Sequence, residues 1–241
     1  MTPITKAQDN SIKMILDEPE LLIQFLHNFI DIDILKDITP ADIEDVTERF
    51  LSPIAEQKDG DTVKQINLKD DKPLFVLTII EHESSVNFRA PFKMLYYMAM
   101  MLDKYEKECN RQTDGIGRTK DFKYPPILPI IYYDGTGEWT AARSLLDRTE
   151  MSDIFAKYVP KFEYELVSLN KYSVADLAAY QNLLSMFMML GKIKNPTDFS
   201  IMGEAPKEFY DKLNDMNIPQ RLKDLLCQIT TVLLTKADVP K

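Results

Sequence analysis

Residues 73–83 read PLFVLTIIEHE, an almost continuously apolar run that ends in two carboxylates. Such a run predicts a β-strand that is buried on both faces. Carboxylates are rarely buried unless they are paired or bind a metal. Because residues i and i+2 of a strand share a face, Glu81 and Glu83 are predicted to point the same way. The end of this strand is therefore the first candidate for a functional site.

A second strand is predicted to precede this one. The polar segment of residues 69–72 favours a turn, so a hairpin spans about residues 61–83. Folding the chain there brings Asp61, at the start of the first strand, level with Glu81 to within one residue. Asp61, Glu81 and Glu83 on one face can hold a hard divalent cation such as Mg²⁺. Asp59 is a rival for the role of Asp61, because the segment Asp59-Gly60-Asp61 leaves the register open.

The rest of the chain is read from the spacing of its apolar residues. Strands are predicted at residues 126–133 and 162–167, with Tyr132, Tyr133 and Trp139 in the core. A long helix from Ala90 to Glu108 is predicted to bury a stripe formed by Phe92, Leu95, Tyr96, Ala99, Leu102 and Tyr105. The other predicted helices cover residues 9–31 with a second segment starting at Pro19, a short stretch from Pro40 capped by Thr39, then 141–146, 174–190, 205–215 and 218–236.

This order of elements predicts an α/β or α+β fold with helices packed around a mixed sheet. A chain of 241 residues suffices for one large domain carrying a helical appendage. We expect a domain over residues 1–170 and a C-terminal helical extension over residues 171–241.

The composition limits the classes of partner. With a net charge of −9, the chain lacks the general basic surface that grips phosphates. A local basic groove can coexist with an acidic metal site, and Lys64, Arg89 and Lys93 are candidates for it; the alternative is that they are scattered solvated charges. The only histidines, His27 and His82, and the widely separated Cys109 and Cys227 do not favour zinc.

The sequence also bears on location. It has no apolar run long enough to cross a membrane, and its first residues lack the apolar core of a signal peptide. Two cysteines without a secretion signal favour a reducing compartment, so a cytoplasmic protein with no membrane partner is expected.

Several blocks resemble a known family. The segments IEHESSV (residues 80–86) and RAPFKMLYYM (residues 89–98) resemble the central motif of the bacterial recombination-promoting nuclease/putative transposase family. That family carries a Glu-His-Gln-Ser segment and then a helix that opens with a Pro-Phe-Arg-like run and a Tyr. LPIIYYDG (residues 128–135), with Trp139 and Thr140, resembles its next block. Parts of residues 9–26 resemble its opening helix, so the resemblance extends over about residues 9–170.

The resemblance implies a fold and an activity. The family is assigned to the PD-(D/E)XK nuclease superfamily, whose core is a mixed sheet flanked by helices. Asp61 would correspond to the first metal-binding Asp and Glu81 to the acidic residue of the second strand. Glu83 stands where the superfamily commonly has Lys and the family commonly has Gln, and this is a departure. The implied activity is a Mg²⁺- or Mn²⁺-dependent endonuclease acting on DNA in recombination or mobile-element biology.

A mechanism follows as a hypothesis. Asp61 and Glu81 would bind the metal directly, the backbone carbonyl of His82 would complete its shell, and Glu83 would orient the attacking water. Glu18 or Glu20 is a further candidate that would approach the site through a water. Lys64, Arg89 and Lys93 would contact DNA phosphates.

A second hypothesis is that the chain is a catalytically weak or inactive nuclease-fold protein that serves as a binding module. Glu83 and the acidic charge balance favour this alternative, and the C-terminal helices would allow homo-oligomers. The preferred DNA sequence or structure, the number of metals and the oligomeric state are left open by the sequence.

Overall fold

The computed structural model describes residues 11–51, 61–69, 72–81 and 86–236, and its centre is a five-stranded mixed sheet. The strands lie in the order in which they occur along the chain, with β1 antiparallel to β2, β2 antiparallel to β3, and β3, β4 and β5 mutually parallel. The sheet is flanked by helices, which confirms the predicted fold class. The strands are β1 (Ile43–Asp45), β2 (Thr62–Leu68), β3 (Lys72–Glu81), β4 (Ile127–Tyr133) and β5 (Glu165–Ser168).

The helices precede, connect and follow the strands. They are α1 (residues 11–17), α2 (Pro19–Phe29), α3 (Thr47–Leu51), α4 (Ala90–Gln112), α5 (Ser152–Phe155), α6 (Val174–Ala179), α7 (Leu183–Gly191), α8 (Lys207–Asp215) and α9 (Gln220–Lys236). Pro19 occupies the first turn of α2, as predicted, where its missing N–H costs no hydrogen bond. Across the described ranges, no helix has both the length and the hydropathy needed to cross a bilayer.

The predicted hairpin is present. Thr62 pairs with Thr78 at its open end, and Leu68 pairs with Lys72 at the turn. Continuing this register by one residue sets Asp61 opposite Ile79. Asp61 is thus offset from Glu81 by two residues, whereas the sequence predicted an offset of at most one.

Each face of the sheet covers its own hydrophobic cluster. Ile66, Val76 and Tyr132 pack with side chains of α2, α7, α8 and α9, whereas Val63, Leu77 and Tyr133 pack with α4. Side chains alternate between faces along a strand, so Asp61, two residues before Val63, belongs to the α4 face. The predicted core positions of Tyr132, Tyr133 and Trp139 are confirmed.

Two predicted helices are wrong. The segment after Thr39 forms only a 3₁₀ turn, Pro40–Asp42, and then the edge strand β1. Thr39 does cap this turn with Asp42, but pairing of residues 43–45 with β2 outweighs local helix propensity. Residues 141–145 are likewise not helical: Ser144 makes an isolated bridge to Glu163, and only a 3₁₀ turn, Leu146–Arg148, follows.

The buried stripe of α4 was predicted one residue out of phase. Phe92 is 51% exposed and Tyr96 39% exposed. The side chains that face the sheet are instead those of Ala90, Pro91, Lys93, Met94, Tyr97 and Met101. The prediction failed because it assigned Lys93 to the solvent.

The C-terminal region is helical, as predicted, but its first helix is broken. Gln181 adopts a positive φ of 51°, and Asn182 caps α7 by accepting a hydrogen bond from the Ser185 amide at 3.1 Å. Side chains of α7, α8 and α9, including Leu184, Phe209 and Leu222, share a cluster with the sheet. The domain boundary at residue 170 and association through these helices stay predictions.

Candidate functional site

Asp61 stands immediately before β2 and has none of its surface exposed. A carboxylate at such a position needs compensating polar contacts, because desolvation disfavours its charged form. α4 provides them: Lys93 Nζ lies 2.9 Å from Asp61 Oδ2, and the Tyr97 hydroxyl donates to the same oxygen at 3.3 Å. The centre of the site is therefore a buried ion pair between the hairpin and α4.

Helical spacing explains why these two side chains act together. Residues four apart lie on the same face of a helix, so Lys93 and Tyr97 both project toward the sheet. Lys93 is 7% exposed, and its Nζ also lies 5.2 Å from the centre of the Tyr97 ring. A buried ion pair requires both partners, because loss of either leaves an uncompensated charge. The sequence motifs predict a DNA contact for Lys93 and do not identify Tyr97. The signal for both is the spacing of Lys93, Met94, Tyr97 and Met101, which puts the lysine in phase with buried residues of α4.

The backbone places Glu81 at the same end of the sheet as Asp61. Glu81 is the last residue of β3, where it pairs with Tyr133 of β4. Ile79, the residue opposite Asp61, lies two residues before Glu81 in the same strand. The predictions for His82, Glu83 and Asp59 fall outside the described residues. Within the residues that are described, no three His, Cys, Asp or Glu side chains form a group able to hold a metal.

Lys64 lies on the other face of the sheet. It is 2% exposed, and its Nζ pairs with Asp17 and, at 2.9 Å, with Asp45. Its place on the face opposite Asp61 leaves Lys64 poorly positioned to contact a phosphate bound at the Asp61 site. Its contacts instead connect β2 to β1 and α1.

The contacts of Asp45 predict a pH dependence of stability. Partial burial raises the pKa of Asp45, but hydrogen bonds from Thr47 and Lys64 outweigh it and hold the pKa below its ordinary 3.8. A carboxyl with a lowered pKa in the folded state stabilises the fold fully above the unfolded-state pKa, and this contribution is lost as the pH falls through the folded-state pKa. We expect Asp45→Asn to reduce the loss of unfolding free energy below about pH 4, measured by urea denaturation. An unchanged pH profile would contradict this assignment.

Glu18 and Glu20 are engaged elsewhere. Glu18 Oε2 lies 3.0 Å from Arg221 Nε of α9, and Glu20 pairs with the same guanidinium. The hydrogen bond from Arg221 lowers the pKa of Glu20. This pairing ties α2 to α9, and it does not favour a role for either carboxylate at the Asp61 site.

Arg89 lies one turn before Lys93 on the exposed side of the chain. Its guanidinium carbon is 5.8 Å from the centre of the Phe92 ring. Together with Phe88, Pro91, Leu145 and Arg148, these residues line a cleft of about 300 Å³. Arg89 is thus accessible to a ligand, and its contact with nucleic acid stays a prediction.

The fold and site define a class of protein. The β2–β3 hairpin is followed by helix α4 and by strand β4, which is parallel to β3. One acidic residue precedes β2 and another ends β3. This arrangement is compatible with a PD-(D/E)XK-like core. The chain belongs to the family described as "putative transposase, YhgA-like", whose family model matches residues 6–221. Neither the curated proteins nor the solved structures gave a significant match.

Proposed function

We propose that this protein is a Mg²⁺-dependent DNA endonuclease that acts in recombination or on mobile elements. Membership of the transposase family supports DNA as the substrate and mobile elements as the setting. The observation that carries the proposal is the fully buried carboxylate of Asp61, at the sheet end where β3 finishes in Glu81. A buried carboxylate at such a position is the expected starting point for a site that binds cations.

The residue types assigned to the site suit a hard metal ion. Asp61, Glu81 and Glu83 offer carboxylate oxygens, the ligands that Mg²⁺ prefers. A bound Mg²⁺ would neutralise charge on the scissile phosphate and lower the pKa of a bound water. The protein would bind the ion through Asp61 and Glu81, with the His82 carbonyl as a further ligand and Glu83 near the attacking water. Mn²⁺ would be expected to substitute, because it accepts the same oxygen ligands.

Lys93 can supply the positive charge that Glu83 does not. The superfamily resemblance leads one to expect a cation at position 83, and this chain has a carboxylate there. The Lys93 ammonium, 2.9 Å from Asp61 Oδ2, brings a positive charge to the site from α4 instead. We propose that Lys93 holds the Asp61 carboxylate in orientation and adds positive charge where the phosphate of the substrate would approach. Tyr97 would restrict the same carboxylate through its hydroxyl.

The direct test is cleavage of plasmid DNA by the purified full chain. We expect nicking or cutting with millimolar Mg²⁺, none with EDTA, and at least about a 100-fold loss in Glu81→Gln, because a metal ligand contributes several kcal/mol to the transition state. Glu44→Gln, which alters an exposed strand carboxylate of β1, is the matched control and should cut normally. Cutting that survives EDTA, or that Glu81→Gln leaves intact, would overturn the proposal.

A binding module on a nuclease fold is the second candidate. It is favoured by the same ion pair, because Lys93 already compensates the charge of Asp61 without a metal. A calorimetric titration separates the two functions. Millimolar Mn²⁺ that binds the native protein and not Asp61→Asn supports the endonuclease, whereas DNA binding with no Mn²⁺ binding supports the module.

A further inference from the structure

An exposed aromatic surface surrounds the start of α4. Phe88 and Phe92 are each 51% exposed, and Tyr96 is 39% exposed. Phe92 and Tyr96 are four residues apart and so lie on one face of the helix, while Phe88 lies in the turn that leads into it. Large aromatic side chains grouped at a surface commonly mark a binding site.

The cleft beside these rings combines apolar walls with positive charge. Phe88, Pro91, Phe92 and Leu145 supply the apolar atoms, and the exposed Arg89 and Arg148 stand at its sides. Its volume of about 300 Å³ is that of a small ligand pocket. Two arginines in a chain with a net charge of −9 make this a local site for an anionic partner.

The cleft is adjacent to the candidate catalytic site. Phe92 and Lys93 are consecutive residues on α4, but Phe92 faces the solvent whereas Lys93 faces Asp61. Arg89 precedes Lys93 by one helical turn, about 5 to 6 Å along the axis. A nucleic acid strand with one phosphodiester at the Asp61–Glu81 site would therefore have neighbouring nucleotides within reach of the cleft.

We propose that this cleft binds an unpaired nucleobase, stacked on Phe88 or Phe92, with Arg89 and Arg148 on the adjoining phosphates. The chemistry favours this occupant because each base has a flat apolar face and each nucleotide carries a negative phosphate. A base held within a duplex cannot enter such a cleft. The proposal rests on the proposed function in taking nucleic acid as the partner, and it adds that the favoured substrate has unpaired nucleotides near the cut.

Binding without metal tests the cleft separately from catalysis. The full chain is titrated, in EDTA and low salt, into a dye-labelled single-stranded oligonucleotide and into its duplex, and fluorescence anisotropy is recorded. We expect tighter binding of the single strand, weakened about tenfold by Phe92→Ala or Phe88→Ala, with little change for the duplex. Fluorescence of 2-aminopurine placed in the strand should be quenched on binding to the native protein and less quenched by Phe92→Ala.

A matched control excludes a general effect of removing an exposed ring. Tyr124 is 49% exposed and contacts Glu106, which lies about 20 Å along α4 from Phe92. Tyr124→Ala should bind the single strand as the native protein does. Equal affinity for single strand and duplex, unchanged binding by Phe88→Ala and Phe92→Ala, or no binding of DNA would each overturn the proposal.

The outcomes also distinguish this inference from the endonuclease assignment. Phe92-dependent binding of the single strand by a protein that does not cut would uphold the cleft and overturn the nuclease. DNA cutting that depends on Mg²⁺ but is unaffected by Phe92→Ala and by unpaired bases would uphold the nuclease and overturn the cleft proposal. If light scattering shows that Phe92→Ala changes the oligomeric state and not the affinity for DNA, the cleft is a contact between copies of the chain and the proposal fails.

Discussion

Asp61→Asn is expected to abolish Mg²⁺-dependent DNA cutting, with a loss on the order of 10³-fold or more in rate. The amide keeps the size of the carboxylate, so packing at the fully buried position changes little. It removes the negative charge that a metal ion requires, and it removes a carboxylate that pairs with Lys93. The measurement is the rate of plasmid nicking at saturating Mg²⁺, together with a thermal melt to establish that the variant folds.

Asp17→Asn is the matched control for this substitution. Asp17 also pairs with a buried lysine, Lys64, but on the opposite face of the sheet. Both variants remove one carboxylate from a lysine pair, so a difference in activity between them isolates the role of the α4 face. Cutting by Asp61→Asn within a few-fold of the native rate would show that Asp61 is not a metal ligand.

Lys93→Met is expected to have the second largest effect. It removes the Lys93 cation from the buried Asp61 carboxylate, and removing one partner of a buried pair costs about 3 to 5 kcal/mol of stability. If Lys93 also positions Asp61 and faces the phosphate of the substrate, the fraction of molecules that remains folded should cut DNA at least about 100-fold more slowly. Urea denaturation and nicking rates per folded molecule measure the two effects separately.

Lys64→Met distinguishes stability from function. Lys64 is as buried as Lys93, but its partners Asp17 and Asp45 are 36% and 50% exposed, so water can solvate them when the lysine is removed. We expect a smaller loss of stability and native activity per folded molecule. Equal losses of specific activity in the two variants would mean that Lys93 acts only through the fold.

The sheet could be predicted because its strongest signals are local. The apolar run of β3, the polar turn before it and the apolar run of β4 each identify a strand without knowledge of what packs on it. Strand β1 could not be predicted, because its signal is not local. β1 is three residues long and exists because it pairs with β2, a contact that nothing within residues 43–45 specifies.

The site was only partly predictable. The predicted hairpin brings Asp61 and Glu81 to the same end of the sheet, but only the folded hairpin gives the register that offsets them by two residues. The apolar residues of α4 predict Phe92 and Tyr96 in the core and Lys93 at the surface, whereas in the structure Lys93 is buried and both rings are exposed. A lysine is buried when a specific carboxylate compensates its charge, and the partner of Lys93 lies 32 residues away in the sequence.

The sequence by itself determined the mixed α/β class, the hairpin, the acidic strand ends and the helical C-terminal region, because periodicity, turn residues and apolar runs are properties of short segments. Only the tertiary structure decided that Lys93 and Tyr97 contact Asp61, that Lys64 is buried on the opposite face, and that Phe88 and Phe92 face solvent beside two arginines. Those outcomes depend on which charges meet across distant segments, and burial of a charge is settled by its partner rather than by its neighbours in the chain.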